Sequence, residues 1–93
     1  PVGFAACALR WEYVEGTEQS PAGYLEGIFV AAAFRRCGAA AGLLRRCEAW
    51  AKEKGCAEFA SDCELENEES RLFHAACGFS EVCRTINFAK RLA

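Results

Sequence analysis

The feature that most constrains the fold of this chain is a strand–helix–strand pattern between Tyr24 and Ser61. Residues 24–30 are nearly all apolar, as is typical of a strand that is buried on both faces. A turn over residues 31–37, a helix and a short apolar strand at residues 57–61 follow. Strands that are joined through a helix run parallel. The sequence therefore predicts an α/β unit with parallel strands.

The helix within this pattern has a well-defined apolar stripe and a well-marked end. The stripe recurs at spacings of three and four residues and consists of Ala40, Leu43, Leu44, Cys47 and Ala51. Lys52 and Lys54 fall in the last turn, where cations complement the helix dipole. Gly55 follows as a residue that can end a helix.

The flanking segments complete one domain. Residues 2–14 are predicted to form a strand that pairs with residues 24–30 as a long hairpin, with a polar loop at residues 15–21. A second helix is predicted from about residue 68 to 77, ended by Gly78, and a last strand over residues 82–88. We expect residues 1–93 to form a single domain. It lacks methionine and opens at Pro1, which suggests an N-terminally incomplete chain.

Composition excludes several classes of function. A net charge of −2 gives no electrostatic reason to expect nucleic acid or a membrane surface as partner. No apolar run approaches the roughly 20 residues that span a bilayer. The seven cysteines are odd in number and contain no C-x-x-C pair, which argues against a zinc site and against a secreted disulfide scaffold. We expect buried free thiols, a reducing cytoplasmic location and no metal.

A candidate anion site precedes the long helix. Arg35, Arg36, Cys37, Gly38, Ala39 and Ala40 follow the apolar strand and open the helix. The first N–H groups of a helix have no acceptor within it and attract anions such as a pyrophosphate. Gly38 lets the backbone approach a phosphate closely. An ordinary strand–turn–helix connection with solvated arginines explains the same spacing, because short glycine motifs are frequent.

These residues resemble the signature of GNAT acetyltransferases. The Arg35-x-x-Gly38-x-Ala40 motif is similar to the Gln/Arg-x-x-Gly-x-Gly/Ala motif of that family, and Asn67, Ser70, Phe73, His74, Gly78 and Phe79 follow the order of a second family segment. A closer resemblance to aminoglycoside 6'-N-acetyltransferases covers nearly the whole chain. It includes Tyr13, residues 25–30, residues 50–52, residues 60–62 and His74.

The resemblance implies a GNAT-like fold with a mixed sheet, of which this chain holds the C-terminal portion. It implies acetyl-CoA as cofactor and a direct attack of a substrate amine on the thioester. The cofactor contacts that it implies are the backbone of Ile28, Phe29 and Val30, the residues from Arg35 to Ala40, and Asn67. Asn67 could instead be only a helix cap. Family members often form dimers, so a homodimer is expected.

Two carboxylates are the main catalytic candidates. Glu26 is a charge inside an apolar strand, where an unpaired carboxylate is costly to bury, so it should face a cleft unless it pairs with a buried arginine. Asp62 follows the end of a parallel strand, where ligands gather, and is the best candidate to contact or deprotonate the amine. A loop or helix-entry cap is its alternative role. Both residues suit a cationic aminoglycoside.

Two further residues have open roles. Tyr13 matches a substrate-contacting residue of the subgroup, but a packed strand aromatic is an equal alternative. His74 is the one histidine, at a position where most GNAT enzymes have a tyrosine that can protonate the leaving thiolate. An imidazole can donate a proton near neutral pH, and it can also serve as a hydrogen-bonded structural residue. Acetylation of a polyamine or a peptide, and a coenzyme A-binding fragment without activity, remain alternative functions.

Overall fold

The computed structural model describes residues 3–35 and 38–93. In chain order it contains β1 (Gly3–Arg10), β2 (Ala22–Val30), a 3₁₀ turn (Ala32–Phe34), α1 (Ala39–Glu53), β3 (Phe59–Ala60) and α2 (Glu68–Ala76). The sheet has the order β1-β2-β3. β1 and β2 pair antiparallel, whereas β2 and β3 pair parallel. The predicted hairpin and the predicted crossover through a helix are both confirmed.

The core lies between α1 and the hairpin. Leu44 is the most deeply buried large side chain, and Cys47 and Ala51 are buried on the same stripe of α1. They belong with Ala22, Tyr24, Leu25, Val30 and Cys56 to the buried apolar set. Ala40 and Leu43, the other members of the predicted stripe, are half-buried. The stripe therefore identified the buried face of α1 correctly.

Both ends of α1 agree with the sequence prediction. Gly38 is the N-cap and has φ of 85°, and Gly55 follows the helix with φ of 90°. These positive φ values lie in the left-handed region, which residues with a Cβ adopt at a cost. α2 is also as predicted to within one residue, and Gly78 follows it with φ of 94°.

The predicted strand over residues 82–88 is wrong. This segment forms neither helix nor strand, and each of its residues is exposed. Its composition is compatible with a strand, but a strand requires a neighbour that completes its hydrogen bonds. In the part of the chain that the structure describes, the segment pairs with none of the three strands.

Four smaller predictions also need correction. β1 ends at Arg10 rather than at residue 14, because its partner Ala22 follows Pro21, which has no N–H to extend the ladder. β3 has two residues rather than five, and β2 is fully buried only over its first half. Cys47 and Cys56 are buried free thiols as expected, but Cys63 and Cys83 are exposed because they lie in segments that pack against little else.

Candidate functional site

The sheet opens beyond β3. Only two residue pairs join β2 and β3, namely Gly23 with Phe59 and Tyr24 with Ala60. β2 continues to Val30, so its side away from β1 has no strand beside it over residues 25–30 in the described ranges. Asp62 follows the short β3 directly. Continuing the register by two residues would place it level with Glu26.

Glu26 lies at a β-bulge. In the antiparallel ladder Ala6 pairs with Gly27 and Cys7 pairs with Leu25, which leaves Glu26 without a partner. A bulge turns a side chain away from the ordinary alternation of a strand. Glu26 is exposed, whereas Leu25 before it is buried. The sequence predicted an unusual position for this carboxylate, but the bulge has no signal in residue types.

Arg10 pairs with Glu26. Its Nη2 donates to both carboxylate oxygens, at 2.8 and 3.0 Å. The two side chains are 34% and 42% exposed, so this is a surface ion pair rather than the pair with a buried arginine that was the alternative. The hydrogen bond to Glu26 is the main cause that raises the pKa of Arg10. Glu26 thus faces solvent with a cation at its side.

Tyr24 connects this pair to Asp62. Its hydroxyl donates to Oδ2 of Asp62, and the Arg10 guanidinium carbon lies 3.9 Å from the centroid of its ring. Tyr24 is only 9% exposed. The pKa of Tyr24 is raised to about 12, first by burial of the phenol and second by its hydrogen bond to Asp62. The phenol therefore remains a hydrogen-bond donor at neutral pH.

The four side chains form one connected group, which we call the carboxylate cluster: Arg10, Tyr24, Glu26 and Asp62. The sequence had identified Glu26 and Asp62 as site residues. The structure connects them through Arg10 and Tyr24, which the sequence had not identified. Arg10 and Tyr24 are ordinary strand residues in the sequence. A regular alternation along β2 would have shown that Tyr24 and Glu26 share a face, but it could not show which atoms Tyr24 contacts.

His74 bridges α2 to the residue before Asp62. Its Nδ1 lies 2.7 Å from the carbonyl oxygen of Ser70, and its Nε2 lies 2.8 Å from Oγ of Ser61. Because a carbonyl oxygen only accepts, Nδ1 donates to it, while Nε2 and the Ser61 hydroxyl share the second hydrogen bond. The ring of Phe79 packs at 5.0 Å between centroids. These contacts favour the structural role over that of a proton donor.

The helix start that was predicted to bind an anion is partly described. Among the described residues no side chain caps the N-terminus of α1, and no acidic residue lies in its first turn. The first bond of the helix runs from the N–H of Gly42 to the carbonyl of Gly38, at 2.9 Å. The N–H groups of Ala39 and Ala40 therefore have no acceptor within α1. Arg36 and Cys37 lie outside the described residues.

Other predicted contacts have local partners. Nε of Arg35 donates to the carbonyl oxygen of Val30 at 2.9 Å. Oδ1 of Asn67 accepts from the N–H of Ser70 at 3.1 Å, so Asn67 caps α2, as in its alternative role. Tyr13 lies in the loop after β1 and is 73% exposed, which excludes the packed strand aromatic.

Comparison with known proteins identifies the family. The profile of the Acetyltransferase (GNAT) family matches residues 1–79. The chain belongs to the GNAT family. Its fold is the GNAT fold, as the resemblance of the two motifs implied.

Two relatives of this GNAT chain are aminoglycoside acetyltransferases. It is 45% identical over 91 residues to an aminoglycoside N(6')-acetyltransferase type 1 of Acinetobacter haemolyticus, and 47% identical over 91 residues to one of Serratia marcescens. The matches cover 98% of this chain and 63% and 62% of those relatives. The chain thus spans less than two thirds of their length.

A solved structure resembles the GNAT chain equally well. An aminoglycoside 6'-N-acetyltransferase in complex with the bisubstrate analogue CoA-S-monomethyl-acetylneamine superposes with a TM-score of 0.93 at 44% identity. The match covers 98% of this chain and 62% of that one. That protein binds coenzyme A and an acetylated aminoglycoside joined in one molecule.

Two negative findings concern the described part of this GNAT chain. No helix in residues 3–35 and 38–93 combines the length and the hydrophobicity needed to cross a membrane. The same residues contain no group of three or more His, Cys, Asp or Glu side chains arranged to hold a metal ion.

Proposed function

We propose that this chain carries the coenzyme A half and part of the acceptor site of an N-acetyltransferase that uses acetyl-CoA to acetylate the 6'-amino group of aminoglycosides. The observation that carries the proposal is the match at about 45% identity to aminoglycoside N(6')-acetyltransferases across 98% of the chain. The carboxylate cluster supports it, because a cationic acceptor requires negative charge at its binding site. Acetylation of another amine is the alternative.

The cofactor site is proposed at two places along the fold. The N–H groups of Ala39 and Ala40 at the start of α1 would hold the diphosphate, supported by the positive end of the helix dipole. A Cβ built on Gly38 meets no atom within 4 Å, so the approach to these amides is open. The backbone of Ile28, Phe29 and Val30 would pair with the pantetheine arm as an added strand would.

In the proposed reaction, residues of this chain have three tasks. Acetyl-CoA supplies an activated acyl group, and the acceptor amine attacks its carbonyl carbon. Glu26 binds an ammonium group of the acceptor, and Asp62 accepts the proton that the attacking nitrogen must lose. A backbone N–H of residues 28–30 stabilises the negative charge that develops on the carbonyl oxygen.

The leaving thiolate must gain a proton, and we propose a supporting part for His74 in this step. Its two ring nitrogens are hydrogen-bonded to the Ser70 carbonyl and to the Ser61 hydroxyl, which supports a role in holding these two segments together. We propose that water delivers the proton, and that His74 fixes the chain beside Asp62. This differs from the general acid that the sequence suggested.

The location and assembly of the protein are also proposals. Free thiols at all six described cysteines support a reducing cytoplasmic location. Exposed apolar side chains after α2 support a homodimer, because such residues are covered in an interface. They include Val82, Ile86, Phe88 and Leu92.

The proposed function is tested by titrating coenzyme A into the 93-residue chain and by assaying the longest natural form of the protein. Coenzyme A is expected to raise the melting temperature and to shift the amide signals of Ala39, Ala40 and Ala41. Thiol release is expected with kanamycin or tobramycin as acceptor. Thiol release with polyamines or peptides only would refute the aminoglycoside assignment, and the absence of coenzyme A binding would refute the cofactor site.

A further inference from the structure

The carboxylate of Glu58 holds the loop between β1 and β2, residues 11–21, which we call the acceptor loop. Oε1 of Glu58 accepts from the backbone N–H groups of Glu18 and Gln19, at 2.9 Å each. Its Oε2 lies 3.2 Å from the same Glu18 nitrogen. These contacts join residues that are 40 and 39 positions apart in sequence.

Glu58 is itself fixed to the sheet. Its carbonyl oxygen accepts from the N–H of Gly23 at 3.0 Å, next to the two pairs that join β2 and β3. Its side chain is half-buried. Glu58 therefore connects the rigid centre of the sheet to backbone amides of the loop.

The rest of the acceptor loop is folded mainly by its own hydrogen bonds. The Ser20 hydroxyl donates to the carbonyl of Trp11 at 2.5 Å. The N–H and the hydroxyl of Thr17 both donate to the carbonyl of Val14, at 3.0 and 2.6 Å. Val82 packs against Gly16, where an added Cβ would lie 2.8 Å from its methyl groups. Internal bonds give the loop its shape, but they do not fix its position on the domain.

The charge on Glu58 is unexpected in this place. The loop already contains Glu12, Glu15 and Glu18, and a further carboxylate nearby adds repulsion. Glu58 accepts amide N–H groups there rather than pairing with a cation. Hydrogen bonds from amides to a carboxylate are stronger than those between neutral groups. The hydrogen bonds from the Glu18 and Gln19 amides therefore offset this repulsion and tie the loop to Glu58.

The loop presents a surface that fits an aminosugar. Trp11 and Tyr13 are 68% and 73% exposed, and Glu12 and Glu15 lie beside them in the sequence. The faces of aromatic rings attract ammonium groups. Carboxylates form charge-assisted hydrogen bonds with the same ammonium groups. We propose that Glu58 is a positioning residue that orients the acceptor loop, and through it Tyr13, toward the cationic acceptor. This inference rests on the proposed function.

The test compares Glu58→Ala and Glu58→Gln with Glu53→Gln, which changes an exposed acidic residue at the end of α1. Amide hydrogen exchange measures the loop directly. The Glu18 and Gln19 amides are expected to exchange at least about tenfold faster in Glu58→Ala, because about 1.4 kcal/mol corresponds to a factor of ten. Glu58→Gln should show a smaller increase, because its amide oxygen still accepts.

The kinetic measurement uses the longest natural form of the protein. In Glu58→Ala the KM for tobramycin is expected to rise about tenfold, while the KM for acetyl-CoA stays unchanged. In Glu58→Gln the KM for tobramycin should rise less. An unchanged KM for tobramycin, or an equal rise in both KM values, would overturn the inference alone. A wild-type protein that acetylates no aminoglycoside would overturn the proposed function, and the inference with it.

Discussion

The hydroxyl of Tyr24 on β2 donates a hydrogen bond to the carboxylate of Asp62, 38 residues later in the chain. This contact spans the point where β2 and β3 stop pairing, between Tyr24 and Ala60. It holds the side chain of Asp62 at the opening of the sheet. The ring of Tyr24 at the same time packs under Arg10, the partner of Glu26. One buried phenol therefore supports both acidic residues.

The first prediction concerns the pH dependence of stability. The pKa of Tyr24 is raised to about 12 in the folded protein, against about 10 in an unfolded chain. The protonated phenol therefore contributes stability that is fully present below about pH 10 and is lost as the pH rises toward 12. About 1 kcal/mol should be lost by about pH 11.

Tyr24→Phe isolates this contribution. Urea unfolding of both proteins between pH 8 and about pH 11 measures the difference in the free energy of unfolding. That difference should shrink with rising pH, since the wild type alone loses the Tyr24 contribution. Other groups, including Cys47, titrate in both proteins and cancel. A difference that stays constant with pH would contradict a raised pKa of Tyr24.

The second prediction separates the binding of coenzyme A from the stability of α1. Gly38 and Gly55 flank the two ends of this helix, both with positive φ and with open space around an added Cβ. Replacing either by alanine should lower the free energy of unfolding by about 1 kcal/mol. Only Gly38→Ala should also weaken the binding of coenzyme A, by about tenfold.

Calorimetric titration of coenzyme A into both variants is the measurement. Gly55→Ala serves as the matched control, since it places the same strain at the opposite end of the same helix. Equal affinity of both variants would show that the diphosphate binds elsewhere.

The third prediction assigns different tasks to the two carboxylates. Asp62→Asn keeps an oxygen that can accept from Tyr24, so the fold should persist while kcat falls by about a factor of 100. Glu26→Gln should mainly raise the KM for the aminoglycoside, because it removes a charge that binds an ammonium group. Steady-state kinetics of the longest natural form measure both parameters.

The matched control for both variants is again Glu53→Gln, which should leave kcat and KM unchanged. If Asp62→Asn retained full kcat, another group would have to take the proton from the amine.

The fourth prediction tests the role of His74 by a double-mutant cycle. His74→Ala and Ser61→Ala remove the two partners of one hydrogen bond. Each should lower the free energy of unfolding by about 1 to 2 kcal/mol, and the double variant should lose less than their sum. The effect on kcat should be similar for both single variants. A loss of kcat with His74→Ala alone would restore His74 as a proton donor.

The sequence predicted those elements that are set by local rules. Residues close together in sequence determine the apolar stripe and the two flanking glycines of α1. The same holds for the acidic first turn and the asparagine cap of α2. The strand predicted over residues 82–88 was wrong because a strand depends on a partner, and local composition contains no information about partners.

The candidate site was predicted in part, for a related reason. Glu26 and Asp62 attract notice as charges placed at strand positions. Arg10, Tyr24 and Glu58 act through contacts across 16 to 40 positions of sequence, and no periodicity or motif marks them. The bulge at Glu26 likewise arises from how two strands align. Such contacts exist only once the chain has folded.

In the described residues, one side of β2 over residues 25–30 has no strand beside it, and this has a consequence for self-association. A bare row of main-chain donors and acceptors is a template on which another polypeptide can add, and Phe29 at its end is 48% exposed. A small molecule that fills this row would also keep two copies from joining there. Ligand supply would then govern how long the protein stays dispersed, quite apart from any reaction proposed for it.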